Sequence, residues 1–140
     1  MAVALVVDDA ADIRLLIRGL LGGHGFEVRE AADGTEALAA LADDPLPDVV
    51  VLDVQMPELD GWDTLAAIRG EPRTASLPVV LCTVRSQRAD LSRGWRLGCD
   101  AFVVKPFSAD DLVAAVATAC EGDEEQRAAR RRSQLEAVIE

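Results

Sequence analysis

The chain has 140 residues, the size of one domain and too short for two domains with cores of their own. Half of the residues are apolar and 28% are charged, which excludes a disordered chain. The formal net charge is −11, from 25 acidic and 14 basic residues, so direct nucleic-acid contact is not expected, whereas a divalent-cation site suits the balance.

Short Val-rich runs alternate with helical patterns. Val3 to Val7 predicts a strand, and Ile13, Leu16, Ile17, Leu20 and Leu21 form a helical stripe that Gly22-Gly23 stops. Glu27 to Ala31 alternates like an edge strand. Asp33-Gly34 opens a second helix with Ala37, Leu38 and Leu41 on one face. Val49 to Asp53 is the third strand, and Gly61 to Arg69 the third helix, carrying Trp62, Leu65 and Ile68. Pro78 to Cys82, Arg88 to Leu97 and Ala101 to Val104 follow as strand, helix and strand. Ser108 caps a fifth helix with Asp110 and Asp111 in its first turn. Continuous apolar strands between amphipathic helices predict an α/β fold, a doubly wound parallel sheet, with ligands at the carboxyl ends of the strands.

Residues 1–121 make this domain, and residues 122–140 are expected to form a helical extension or linker. Arg127, Arg130, Arg131 and Arg132 there suit a solvated face with i,i+4 pairing. Ala128, Arg131 or Arg132, Leu135 and Val138 also suit the seam of a coiled-coil connector, although Gly122 weakens continuity with the fifth helix.

Cys82, Cys99 and Cys120 are odd in number and lack CxxC spacing. The first eight residues carry no basic leader, and no apolar run approaches the roughly 20 residues of a membrane helix. A reduced, cytoplasmic protein with buried thiols is expected, with no membrane contact. His24 reads as a helix-end surface residue. Trp95 reads as either a partial core residue or an exposed anchor.

Chemistry gathers at one edge. Asp8-Asp9 follow the first strand, Asp53 ends the third, Thr83 follows the fourth and Lys105 the fifth. Each alone reads blandly, as an N-cap pair, a strand end, a loop hydroxyl or a turn. Together, converging carboxylates need a cation, hard oxygen ligands suit Mg2+, and a lysine supplies a point charge for an oxyanion. Carboxylate nucleophile, metal, ammonium and hydroxyl form a set for phosphoryl transfer to an acyl phosphate. Lys105 is also the chain's only lysine, against 13 arginines.

The residues Val6-Val7-Asp8-Asp9, Val51-Leu52-Asp53-Val54-Gln55-Met56-Pro57 with Asp60-Gly61, Pro78 to Thr83, and Gly98 to Phe107 complete the pattern. The intervals are 44 residues from Asp9 to Asp53, 30 to Thr83 and 22 to Lys105. Over about residues 1–120 the chain resembles the receiver domain of bacterial two-component response regulators. The resemblance implies a flavodoxin-like (βα)5 sheet of five strands in the order 2-1-3-4-5. It implies that Asp53 accepts a phosphoryl group from the phosphohistidine of a sensor histidine kinase or phosphotransfer protein. Mg2+, or Mn2+, would be held by Asp9, Asp53 and the Gln55 backbone carbonyl, with Asp8 holding a water of the ion.

Lys105, with a cis bond to Pro106, would pair with Asp53 and then with the phosphoryl group. Thr83 would move toward that group, and Phe102 would turn inward as the switch aromatic. Gln55, Val84 and Arg85 would tune rates, Val84 being larger than the usual small residue. The equilibrium would shift at a face of the fourth helix, fifth strand and fifth helix, read by a downstream protein or fused output domain. Ala101 stands where winged-helix regulators carry a second Asp, so at most a weak homodimer is expected through that face.

Two other classes compete. An Asp-nucleophile, Mg2+-dependent phosphatase of the haloacid-dehalogenase type would want a second acid at Gln55. A non-phosphorylated docking module would want losses at Asp8, Asp9, Asp53 or Lys105, and all four are present. No helix-turn-helix pattern accompanies the domain, which agrees with no direct nucleic-acid contact.

Overall fold

The computed structural model describes residues 2–56, 59–84 and 87–139. Five strands, β1 (Val3–Val7), β2 (Glu27–Ala31), β3 (Val49–Asp53), β4 (Val79–Thr83) and β5 (Ala101–Val104), form one parallel sheet in the order β2-β1-β3-β4-β5. Between and after them lie α1 (Ala11–Gly22), α2 (Gly34–Leu41), α3 (Gly61–Gly70), α4 (Arg88–Leu97), α5 (Ala109–Cys120) and α6 (Glu124–Ile139). The expected class and strand order hold.

Local chemistry sets most of the boundaries. Asp33 accepts from Glu36 N at 2.8 Å, and Asp60 from Asp63 N at 2.9 Å, so each caps a helix whose first amides lack partners. Ser108 and Asp111 form a reciprocal capping box on α5. Gly98 ends α4 at φ 98°, a left-handed conformation that a side chain would strain. β4 begins at Val79 and not at Pro78, because Pro78 contributes only its carbonyl, to Val50 N at 2.9 Å.

The sheet buries both faces. Leu5, Val7, Val50, Leu52 and Leu81 pack on one side against Trp62, Leu65 and Ile68. Ala4, Val6, Val49, Val51 and Val80 pack on the other against Ile17, Leu21, Leu112 and Val116. The two-residue alternation along each strand therefore feeds two cores, which is why the strands read as unbroken apolar runs.

Two expectations need correction. Leu16 belongs to the helical stripe of α1 but is 51% exposed, because only Ile17 and Leu21 of that helix reach full burial. Residues 122–140 do not prolong α5. Gly122 takes φ 85°, the chain reverses, and α6 packs back against α4. Arg127, Arg130 and Arg131 bond to the domain itself, so the stripe with Ala128, Leu135 and Val138 is an intramolecular seam within this chain. Cys82 and Cys99 are buried and free, Cys120 is partly buried and free, and His24 is exposed at the end of α1. Trp95 packs on the core.

Candidate phosphorylation site

Register brings the reactive groups together. Val7 aligns with Leu52, Asp53 with Cys82, and Thr83 with Val104, so Asp8, Asp53, Thr83 and Lys105 stand at adjacent strand ends. Carboxylate oxygens of Asp8, Asp9 and Asp53 lie within 4.8 Å of one another. Asp8 is 2% and Asp53 6% exposed, while Asp9 is exposed. Lys105 Nζ donates to Asp8 Oδ2 at 2.9 Å and stands 3.3 Å from Asp53 Oδ1. Asp8 Oδ1 accepts from Ala10 N at 2.9 Å, which aims the second oxygen at the lysine. Asp53 Oδ1 accepts from Gln55 N at 3.3 Å.

Charge follows from this packing. Burial pushes the Asp53 carboxyl above its ordinary value; Asp8 adds to the rise, and Lys105 pulls against both. For Lys105, burial opposes the charge, but the Asp8 hydrogen bond and the Asp53 carboxylate prevail and hold its pKa above the ordinary value. One ammonium cannot neutralise three carboxylates, and the excess of hard oxygen donors fits a small divalent cation.

Asp60 caps α3 directly beyond this site. A Cβ on Gly61 would lie 2.4 Å from the Asp53 carbonyl oxygen and 2.6 Å from Val54 Cα, so only glycine lets α3 approach the end of β3. Thr83 is buried at the end of β4, Gln55 is exposed, and Val84 is 58% exposed beside Lys105 and Pro106. The Lys105–Pro106 peptide is cis. Phe102 is half-buried, with its ring edge-on to Trp95 at 5.7 Å. Arg85, and Pro57 of the sequence pattern, lie outside the described residues.

Two arrangements escaped the sequence. Arg93 of α4 sits over the Trp62 ring at 4.7 Å and borders the mouth of the site, a cavity of ≈ 450 Å³ shared with Asp9, Gln55 and Asp60. At the opposite edge of the sheet, buried Asp100 binds Arg69 Nη2 at 3.0 Å, Arg131 Nη1 at 2.7 Å and Val79 N at 2.9 Å. Helical spacing carries no sign of either pairing, because each joins separate elements.

Residues 4–117 match the response regulator receiver domain profile. The chain belongs to the response regulator receiver family. It is 42% identical over 113 residues to response regulator Rre1 of Synechocystis, covering 80% of this chain and 48% of that protein. It is 36% identical to protein PilG of Pseudomonas aeruginosa, covering 80% of this chain and 82% of PilG. Among solved structures, the chemotaxis response regulator CheY4 of Vibrio cholerae superposes with a TM-score of 0.79 at 33% identity, covering 85% and 98% of the two chains. The receiver domain of NtrX from Brucella abortus gives 0.78 at 37%, covering 86% and 99%.

This receiver spans about half the length of the first curated relatives it matches. It is the phosphorylatable switch of a two-component system, and the phosphatase alternative is not favoured. Among the described residues no helix is long and apolar enough to cross a membrane.

Proposed function

We propose that Asp53 is the phosphoacceptor of this receiver and that a phosphohistidine on a sensor histidine kinase or phosphotransfer protein is the donor. The observation that carries this is the buried Asp53 carboxylate, 3.3 Å from the only lysine, inside a cluster of three carboxylates. An Asp53 oxygen attacks phosphorus, the phosphorus–nitrogen bond breaks, and the electron pair leaves on the imidazole nitrogen. The product is an acyl phosphate, and attack by water on its phosphorus returns Asp53 and inorganic phosphate. Lys105 holds the carboxylate, then pairs with the phosphoryl oxygens. Thr83 donates its hydroxyl to one of them.

Asp9, Asp53 and the Gln55 backbone carbonyl would hold Mg2+ or Mn2+, with the buried Asp8 holding a water of the ion. The ion supplies neutralisation of the carboxylates and of the transferring group. Gln55, Val84 and Arg85 tune access of donor and water. The receiver catalyses only its own phosphorylation and dephosphorylation. Leu15, Leu16 and Val84, which are 69%, 51% and 58% exposed, give the donor protein an apolar landing surface near the site. A downstream protein or fused output domain reads the switch. Three free thiols suit a cytoplasmic setting.

Incubation with acetyl phosphate and Mg2+ tests the assignment. A mass gain of one phosphoryl group, absent in Asp53→Asn, is expected. A gain that survives Asp53→Asn moves the phosphoacceptor elsewhere, and sustained turnover of external phosphoesters returns the reading to an enzyme.

A further inference from the structure

Neither the site chemistry nor the sheet's two cores account for α6. Its first half is pinned by arginines at the amino edge of the sheet. Arg127 Nη2 donates to the Ser76 carbonyl at 3.1 Å, and Arg130 Nη2 to the carbonyls of Thr118 at 2.8 Å and Glu121 at 3.0 Å. Arg131 donates to buried Asp100. Its second half is packed more loosely. Gln134 and Val138 form one wall of a groove of ≈ 770 Å³ whose other walls include Trp95 of α4, Phe102 and Val104 of β5, and Lys105. α6 therefore packs against α4 and forms one wall of a groove beside β5, the edge strand of the sheet.

That groove is physically continuous with the phosphorylation site. Lys105, which pairs with Asp8 and Asp53, is part of its wall. Phe102, three residues earlier, presses on α4: a Cβ at Gly94 would lie 2.2 Å from its Cζ. A phosphoryl group on Asp53 turns the single negative charge facing Lys105 into close to two and draws the lysine away from Asp8. Movement there reshapes the wall against which the loosely packed half of α6 lies.

We propose that α6 is an intramolecular occupant of the α4–β5–α5 face whose grip weakens when Asp53 is phosphorylated, so that α6 competes with any protein that uses this face. The coupling rests on the assignment of Asp53 above. By reciprocity, loosening α6 favours the phosphorylated state.

Amide hydrogen exchange on the full chain, with and without acetyl phosphate and Mg2+, tests this, with the intact mass of each sample reporting phosphoryl occupancy. Arg131→Ala is the variant, because Asp100 keeps Arg69 and Val79 N and the domain retains its fold. Arg130→Ala/Arg131→Ala strengthens the effect, and Arg131→Lys restores protection. Amides of residues 124–139 are expected to exchange about tenfold faster in Arg131→Ala than in the wild type, and about tenfold faster in the phosphorylated wild type. Arg131→Ala also reaches a higher phosphorylated fraction. Unchanged α6 protection in Arg131→Ala, or after a phosphoryl gain that the mass verifies, overturns the proposal while leaving Asp53 in place. No mass gain in either chain overturns the Asp53 assignment and the coupling with it.

Discussion

Asp53 sits among more negative charge than its neighbouring lysine neutralises, and this has a measurable cost. Its carboxyl is held above the ordinary 3.8 by burial and by Asp8. Between 3.8 and the raised value the folded chain binds a proton that the unfolded chain releases, so stability falls as pH rises through that window. Above the window the ionised carboxylate is a constant penalty. Asp53→Asn, without divalent cations, is therefore expected to stabilise the fold at neutral pH and to raise Tm. The gain disappears below pH 3.8, where both states are protonated. Thermal melts at pH 7 and pH 3 check both halves, and equal melting temperatures at pH 7 would contradict the raised carboxyl. Lys105 has the same slope at higher pH, but here the charged form is the favoured one. Its raised pKa means that the ammonium stabilises the fold below its ordinary 10.5 and that this contribution is lost as pH climbs past the folded value.

At the scale of elements, two glycines decide how close helices come to the site. Gly61→Ala would put a methyl group into backbone atoms of Asp53 and Val54, which have no means of stepping aside. A loss of about 2–4 kcal/mol in urea unfolding is expected, with phosphoryl labelling reduced because the end of β3 shifts. Gly94→Ala meets the Phe102 ring instead, a side chain that lies against α4 and edge-on to Trp95 of the same helix. It should cost less, about 1–3 kcal/mol, and change Trp95 fluorescence while leaving labelling of Asp53 in place. If both variants melt like the wild type, the close approaches are wrong. Ser108→Ala removes the capping box of α5 and should cost ~1 kcal/mol in the same unfolding assay.

For the molecule as a whole, the thiols report on folding. Burial pushes the Cys82 thiol up to about 12 and Cys99 well above its ordinary value. Cys120 is also raised, by burial first and Asp48 second, but it is only partly buried. A thiol reagent at pH 8 is expected to modify at most Cys120 in the native chain and all three cysteines in denaturant. Rapid native modification of Cys82 would contradict the packing of β4 between two layers.

The sequence alone determined the five strands, the five helices between and after them, the parallel class and the edge that gathers Asp8, Asp9, Asp53, Thr83 and Lys105. These were legible because periodicity, caps and strand ends are local, and because parallel pairing aligns every carboxyl end on one side. The exposure of Leu16, the placing of Arg93 over Trp62 and the Asp100 cluster were not. Each depends on which element lies opposite, and helical spacing does not encode that. α6 is the sharpest case. Its stripe of Ala128, Arg131, Leu135 and Val138 states that one face will be covered, but three apolar residues and an arginine fit a partner helix, solvent or the chain's own surface. The reversal at Gly122 and the buried carboxylate of Asp100 settled it, because Asp100 is a charge that the interior tolerates only when paired.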